Sequence, residues 1–168
     1  MAHVRQQIRD YVADLLVQFI FDRFGIVIQD RFNSKLEVRQ GGENGTLYKF
    51  RRYALDEDKL PALIVYTTTD ISRLATIGQR TMNHSLELRV DIINKGSSVS
   101  IFENIEQFSA DLIGKVEESF YLGGLAKSCV LASSDFDVET GGEKAIGSGK
   151  MIFNVQYTTA IDNCQVSI

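Results

Sequence analysis

Few residues in this chain have the types that carry chemistry, and their spacing restricts what each can do. The two histidines are His3, close to the start, and His84, on the apolar parity of a β-type run. Neither has a cysteine or a second histidine at metal-ligand spacing, so both are read as structural or surface residues. Cys129 and Cys164 stand 35 residues apart with no C-x-x-C pairing. Each reads as a small buried apolar residue kept reduced in a cytosolic setting. No catalytic residue, metal or cofactor is expected.

Two motifs tempt a nucleic-acid or nucleotide reading. The stretch Gly141-Gly-Glu-Lys-Ala-Ile-Gly-Ser-Gly-Lys150 has glycines at phosphate-loop spacing, but Ser148 stands where the lysine must be. The residues after it alternate like a strand, whereas a phosphate loop opens a helix whose N–H groups form the cradle. A hairpin turn is expected there. Tyr48-Lys-Phe-Arg-Arg-Tyr53 interleaves aromatic and basic residues as single-strand binders do. One such hexapeptide in an acidic chain is read as an ordinary strand.

The acidic series Asp135, Asp137 and Glu139 is the better signal. At i, i+2 and i+4 of a strand these carboxylates share one face, while Phe136 and Val138 take the other. Either the ladder is a solvated face balanced by Lys144 or Lys150 across a hairpin, or it faces a partner or a channel. A divalent site is disfavoured, because an extended strand splays the carboxylates about 6 to 7 Å apart.

The elements that position these residues follow from periodicity. Val4, Ile8, Tyr11, Val12, Leu15, Leu16, Phe19 and Ile20 mark an amphipathic helix ending at Gly25. A short strand at 26–28 follows. Residues 30–46 are polar and glycine-bearing and read as a loop or hairpin insertion. Its charged residues Arg31, Lys35, Arg39 and Glu43 are candidates for contact with a neighbouring protein. Strands are expected at 46–53 and, behind Pro61, from Ala62 to Thr67. A helix is expected over 100–122, with Ser100 and Glu103 at capping-box spacing and Gly123-Gly124 at its end. Strands at 128–139 and 149–160 form a hairpin. Residues 1–162 are expected to make one domain, and 163–168 a C-terminal tail.

The longest alternating runs are 82–94, with Met82, Leu86, Leu88, Val90 and Ile92 on one face, and 149–160, with Met151, Phe153, Val155 and Tyr157. An ordinary strand has about 5 to 6 residues. Strands twice that length overhang what two helices can cover, and an overhanging edge requires another chain. The fold class is therefore α+β: a single mostly antiparallel sheet on two helices, with a long hairpin and overhanging strands.

At 168 residues the chain can bury a core without staples. Its net charge of −4 supplies no basic footprint for wrapping nucleic acid. No apolar run reaches 18 residues, so no membrane span is expected. Met1-Ala-His-Val-Arg5 has no signal-type apolar core, so export is not expected either.

Five segments together resemble the tail terminator (tail completion) proteins of long-tailed bacteriophages and gene transfer agents. They are Val4-Arg-Gln-Gln-Ile-Arg-Asp10, Asp58-Lys-Leu-Pro-Ala-Leu-Ile-Val-Tyr66, the run from Arg80 to Asn94, the helix ending in Leu122-Gly-Gly, and Gly142-Glu-Lys-Ala-Ile-Gly147 with Met151-Ile-Phe-Asn-Val-Gln-Tyr-Thr-Thr159. The likeness runs from about Ala2 to Asp162 and rests on the order and spacing of the segments. It departs at 31–46, which is longer and more polar than a short turn. The resemblance implies a structural virion protein with no enzymatic activity. It implies a homohexameric ring at the tail–neck junction, assembled in a bacterial cytoplasm, whose partners are the major tail tube protein and the head connector or stopper. DNA would pass through the lumen without specific binding, which an acidic lining favours. Other head–tail joint proteins (head closure or tube subunits) and a small-ligand-binding α+β domain are the competing readings.

Overall fold

The computed structural model describes residues 3–24, 27–30, 44–49, 61–75, 80–96, 98–139, 145–161 and 163–167. Helix α1 spans Val4–Phe24 and α2 spans Ser98–Glu118. The strands are β1 (Val27–Asp30), β2 (Asn44–Tyr48), β3 (Ala62–Leu74), β4 (Thr81–Gly96), β5 (Ser128–Glu139), β6 (Ala145–Ala160) and β7 (Asn163–Ser167). They form one sheet in the order β1-β2-β3-β4-β6-β5, with β7 on β6. β1, β2 and β3 pair in parallel and every other pairing is antiparallel. This is a mostly antiparallel α+β fold.

Burial explains why each element sits where it does. In α1 every fourth residue from Val4 through Ile8, Val12 and Leu16 to Ile20 is buried, the spacing that keeps one stripe on one side of a helix. Ile105, Leu112 and Val116 do the same for α2. Both stripes meet Leu63, Val65, Leu86, Leu88, Val90, Met151, Phe153 and Val155 in one core. Both helices therefore lie on one face of the sheet.

β4 and β6 pair over their whole length, from Thr81↔Ala160 to Gly96↔Ala145. Sixteen residues of strand reach about 50 Å at ~3.3 Å each. A helix of 21 residues covers only about 31 Å. α2 begins immediately beyond the end of β4, so its reach runs out before the strand's beginning. Beyond the reach of α2, helix α1 contacts β7, and His84, Tyr157 and Thr159 are buried, so the expected overhang is confined to the end of β3, where Ile71 and Leu74 are exposed.

Close approach fixes α2 on the sheet at Gly149. A Cβ placed there would lie 2.5 Å from Ser109 Oγ, so with Ser109 facing it this position is fitted to glycine. The turn after α2 passes through Leu122, Gly123 and Gly124, all at positive φ. For Leu122 that costs about 1 to 2 kcal/mol, offset by full burial of its side chain.

Several expectations are corrected. Helix α2 starts at Ser98, so Ser100 lies inside its first turn and cannot be the cap, which must be non-helical. It ends at Glu118, short of the expected 122, leaving Phe120 in the turn beyond it with 38% of its surface exposed. β3 continues to Leu74 and β6 begins at Ala145. Polar Thr67–Asp70 and the glycines 147 and 149 hide both extensions from any search for apolar alternation. Residues 163–167, expected as part of a tail, form β7 against β6.

Candidate functional site

The register sorts the side chains of the sheet's outer face, the face opposite the helices, into rows. Asp135 stands opposite Lys150, which stands opposite Asp91. The next row holds Asp137, Ser148 and Ile93, and the one beyond it Glu139, Ile146 and Lys95. In the other direction come Ser133, Ile152, Arg89 and Tyr66, and further on Ser128, Gln156, Ser85 and Ile71. No described helix packs on this face.

Polar side chains tie the rows together. Thr68 donates to Glu87 Oε1 at 2.7 Å, and Arg89 Nη2 lies 2.6 Å from the same oxygen. The Thr68 hydroxyl, followed by the Arg89 guanidinium, holds the Glu87 carboxyl below the usual carboxylate range. Hydrogen bonding to Glu87 in turn raises the Arg89 guanidinium. Tyr66 donates to Asp91 at 3.3 Å. Gln156 Nε2 bridges Ser85 Oγ at 3.0 Å and Asn154 Oδ1 at 2.9 Å, and Thr158 donates to Asn83 at 2.9 Å. A hollow of 130 Å³ lies among Thr69, Ile71, Ser85, Glu87, Ile152 and Asn154. Ligand sites usually start near ~300 Å³, so this one is too small for a metabolite.

Asp135, Asp137 and Glu139 are exposed on this face, and Phe136 and Val138 pack against the core from the opposite one. β5 is the last strand of the sheet's main path, so the ladder also lies along an edge. Among the described residues no ion pair locks its carboxylates, although Lys150 is the direct neighbour of Asp135. Arg31, Lys35, Arg39 and Glu43, the expected contact loop, lie outside the described residues. So do Phe50 to Tyr53 of the aromatic–basic hexapeptide. Tyr48 is buried and Lys49 pairs with Asp10 at 3.5 Å, so this end of the hexapeptide offers no stacking platform.

On the helix face, near the start of β4, His84 belongs to a polar network whose other members the sequence did not reveal. His84 Nδ1 lies 3.3 Å from Asp70 Oδ1, and Nε2 lies 2.9 Å from Thr159 Oγ1. Tyr157 stacks on the imidazole at 4.4 Å and donates to Asp70 Oδ2 at 2.6 Å. Carboxylate on one nitrogen and hydroxyl on the other is the arrangement that activates a hydroxyl nucleophile. Here Thr159 is 1% exposed and His84 8%, so no substrate carbonyl can reach the hydroxyl. The group is a satisfied internal network that fixes β3, β4 and β6 relative to one another. The sequence signal was a histidine on the apolar parity of β4. Its partners came into view only with the β-bulge between Thr67 and Asp70.

Cys129 is buried, and burial, with a smaller contribution from Glu117, pushes its thiol up to about 12. Such a thiol is inert at neutral pH. Among the described residues no three of His, Cys, Asp and Glu converge as metal ligands. No described helix is long and apolar enough to cross a membrane. No model of a known protein family matches the chain, and no curated protein matches it.

Proposed function

We propose that this chain is the repeating subunit of a ring that terminates a phage-type tail, capping the completed tube and offering its other side to the head connector. The observation that carries the reading is the one-sided packing of a long-stranded sheet: two helices on one face, an outer face that is acidic along β5 and apolar around Ile64 and Tyr66, and an end of β3 that leaves Ile71 and Leu74 exposed. A sheet of that shape leaves backbone donors and acceptors along its rim, and closed symmetry is the usual way to satisfy them. Six copies is the number implied by the resemblance to tail terminators.

In such a ring the outer face with Asp135, Asp137 and Glu139 lines the passage. DNA carries one charge per ~1.7 Å of its axis, and carboxylates along the wall keep it from adhering. The subunit has a structural role and no turnover. Its partners are copies of itself, the tail tube protein and the connector.

The test is direct. Purified tail tubes mixed with the protein are imaged by negative stain. The expected result is one ring seated on one end of each tube, and tubes so capped stop elongating. A single copy at the tip, or decoration along the tube wall, contradicts the reading.

A further inference from the structure

We infer that the subunit seats on the tail tube through the end of the sheet where β3 and β6 finish and β4 begins, and that the tube meets this end with apolar side chains flanked by carboxylates. The inference deepens the ring reading and rests on it.

The sheet is polarised along its strands. At this end Leu74 stands opposite Met82, which stands opposite Thr159. Just past β6, the Ile161 N–H donates to the Arg80 carbonyl at 2.9 Å. Leu74 is 61% exposed, Ile71 52% and Ile161 51%. The turn after α2 reaches the same level, because the Lys127 N–H donates to the Gln156 carbonyl and the Ala126 N–H to the Tyr121 carbonyl. That turn exposes Phe120 and Tyr121, and Val130 stands opposite Asn154. Among the described residues, every exposed large apolar side chain therefore lies in this half of the sheet. None accompanies Asp135, Asp137 and Glu139 at the other end.

Charge follows the same division. Arg73 and Arg80 are exposed, and neither has an ion pair among the described residues. Residues 71–75, 80–85 and 156–161 contain no carboxylate. Asp70, next along β3, is already bonded to His84 and Tyr157, and Asp162 lies outside the described residues. Two guanidiniums without counter-charges, beside uncovered apolar side chains, match a partner that brings carboxylates and an apolar surface together. The carboxylates of the passage wall stand at the far end of the strands, so seating and repulsion of DNA use different ends of one subunit.

Shape narrows the partner further. Ile71 lies on the outer face, and Leu74, three residues on, lies on the helix face. A flat bilayer cannot cover both sides of one strand, whereas a grooved protein rim can. In the ring reading the tube is the first partner the free subunit meets, so the tube is the one that covers this end.

Co-sedimentation of the full chain with purified tail tubes, at low and high salt, tests the seat. Arg73→Glu/Arg80→Glu removes the charge match and Leu74→Ser/Ile161→Ser the apolar one. All four side chains are exposed, and circular dichroism checks that each variant folds. Should either fail to fold, the single variants Arg80→Glu and Ile161→Ser read the same contact. Each variant should weaken binding by about tenfold or more. High salt should weaken the wild type and leave the charge variant little changed. Lys150→Gln, at the other end, should bind like the wild type. Undiminished binding by either folded variant overturns the seat and leaves the ring reading standing. A wild type that ignores tubes removes the tail reading and this inference with it. Flotation of the wild type with phosphatidylglycerol vesicles would make the partner a lipid surface, which overturns the inference too.

Discussion

Asp70 and His84 meet across β3 and β4 because of a bulge. Paired residues step regularly from Ala62↔Ile93 to Thr67↔Leu88, then the register slips so that Asp70 faces Leu86 and Ser72 faces His84. The slip brings the Asp70 carboxylate onto the helix face, 3.3 Å from His84 Nδ1 and 2.6 Å from the Tyr157 hydroxyl. Without it the imidazole would lose the carboxylate on Nδ1, and β3 would drop out of the link between the three strand ends. With it they share a buried polar tie.

Replacing the imidazole should therefore loosen this end of the sheet. His84→Ala leaves the Thr159 and Asp70 oxygens without their nitrogen partners and strips the Tyr157 ring of its stack. An orphaned buried polar group costs about 1 to 3 kcal/mol. For a domain of this size that corresponds to a fall in Tm of roughly 2 to 4 °C per kcal/mol. Thermal unfolding followed by circular dichroism checks it, and an unchanged Tm would show that the network holds nothing.

Gly149 and Ser109 should be coupled. The Cβ of Gly149→Ala would lie 2.5 Å from Ser109 Oγ, and overpacking of this kind costs about 1 to 3 kcal/mol. Ser109 Oγ is buried without a hydrogen-bond partner, so Ser109→Ala alone should be neutral or slightly stabilising. The double variant should recover much of the loss. Urea midpoints for the four proteins of the cycle measure the coupling, and additive losses would place the strain elsewhere.

Much of the fold was legible because burial is periodic. The stripe of α1 and the alternation in β4 and β6 stand in the residue types themselves, and so do the opposed faces of Asp135 and Phe136. What stayed hidden follows from long-range pairing. β3 beyond Thr67 is polar, and β6 before Gly149 is glycine-rich, so neither alternates, yet both are strands because β4 holds the first and β4 and β5 together hold the second. The Asp70–His84–Thr159 tie joins residues 75 positions apart and depends on a one-point slip that no local pattern announces.

Acid should remove a small increment of stability at Glu87. Its carboxyl sits below the usual range because Thr68 and Arg89 bond the charged form. A depressed folded value means the contribution is present above the unfolded value, about 4.3, and is lost as pH falls through the folded one. The pair is a third exposed, so less than about 1 kcal/mol is expected. Unfolding midpoints of the wild type and Glu87→Gln should differ at pH 6 and converge towards pH 3. A constant gap would assign the effect to packing.

The acidic ladder separates a passage wall from a plain solvated hairpin. Changing Asp135, Asp137 and Glu139 to lysine alters the charge by +6 per subunit, or +36 in a ring of six. All three side chains are exposed, so the variant should fold and cap tubes. Particles built with it should eject DNA slowly, and the defect should ease at high salt as the Debye length falls below about 8 Å. Normal ejection at every ionic strength would mark the ladder as solvent-facing only. Failure to cap would place it in a contact with the tube or a neighbour.

The number of copies in the proposed capping assembly tests the ring most directly. Native mass spectrometry of the complex released from tube ends by mild detergent counts the copies. At 18.8 kDa per chain, a ring of six gives a closed species near 113 kDa with no ladder of larger multiples. A monomer or a two-fold dimer as the sole species at the tube end would contradict it.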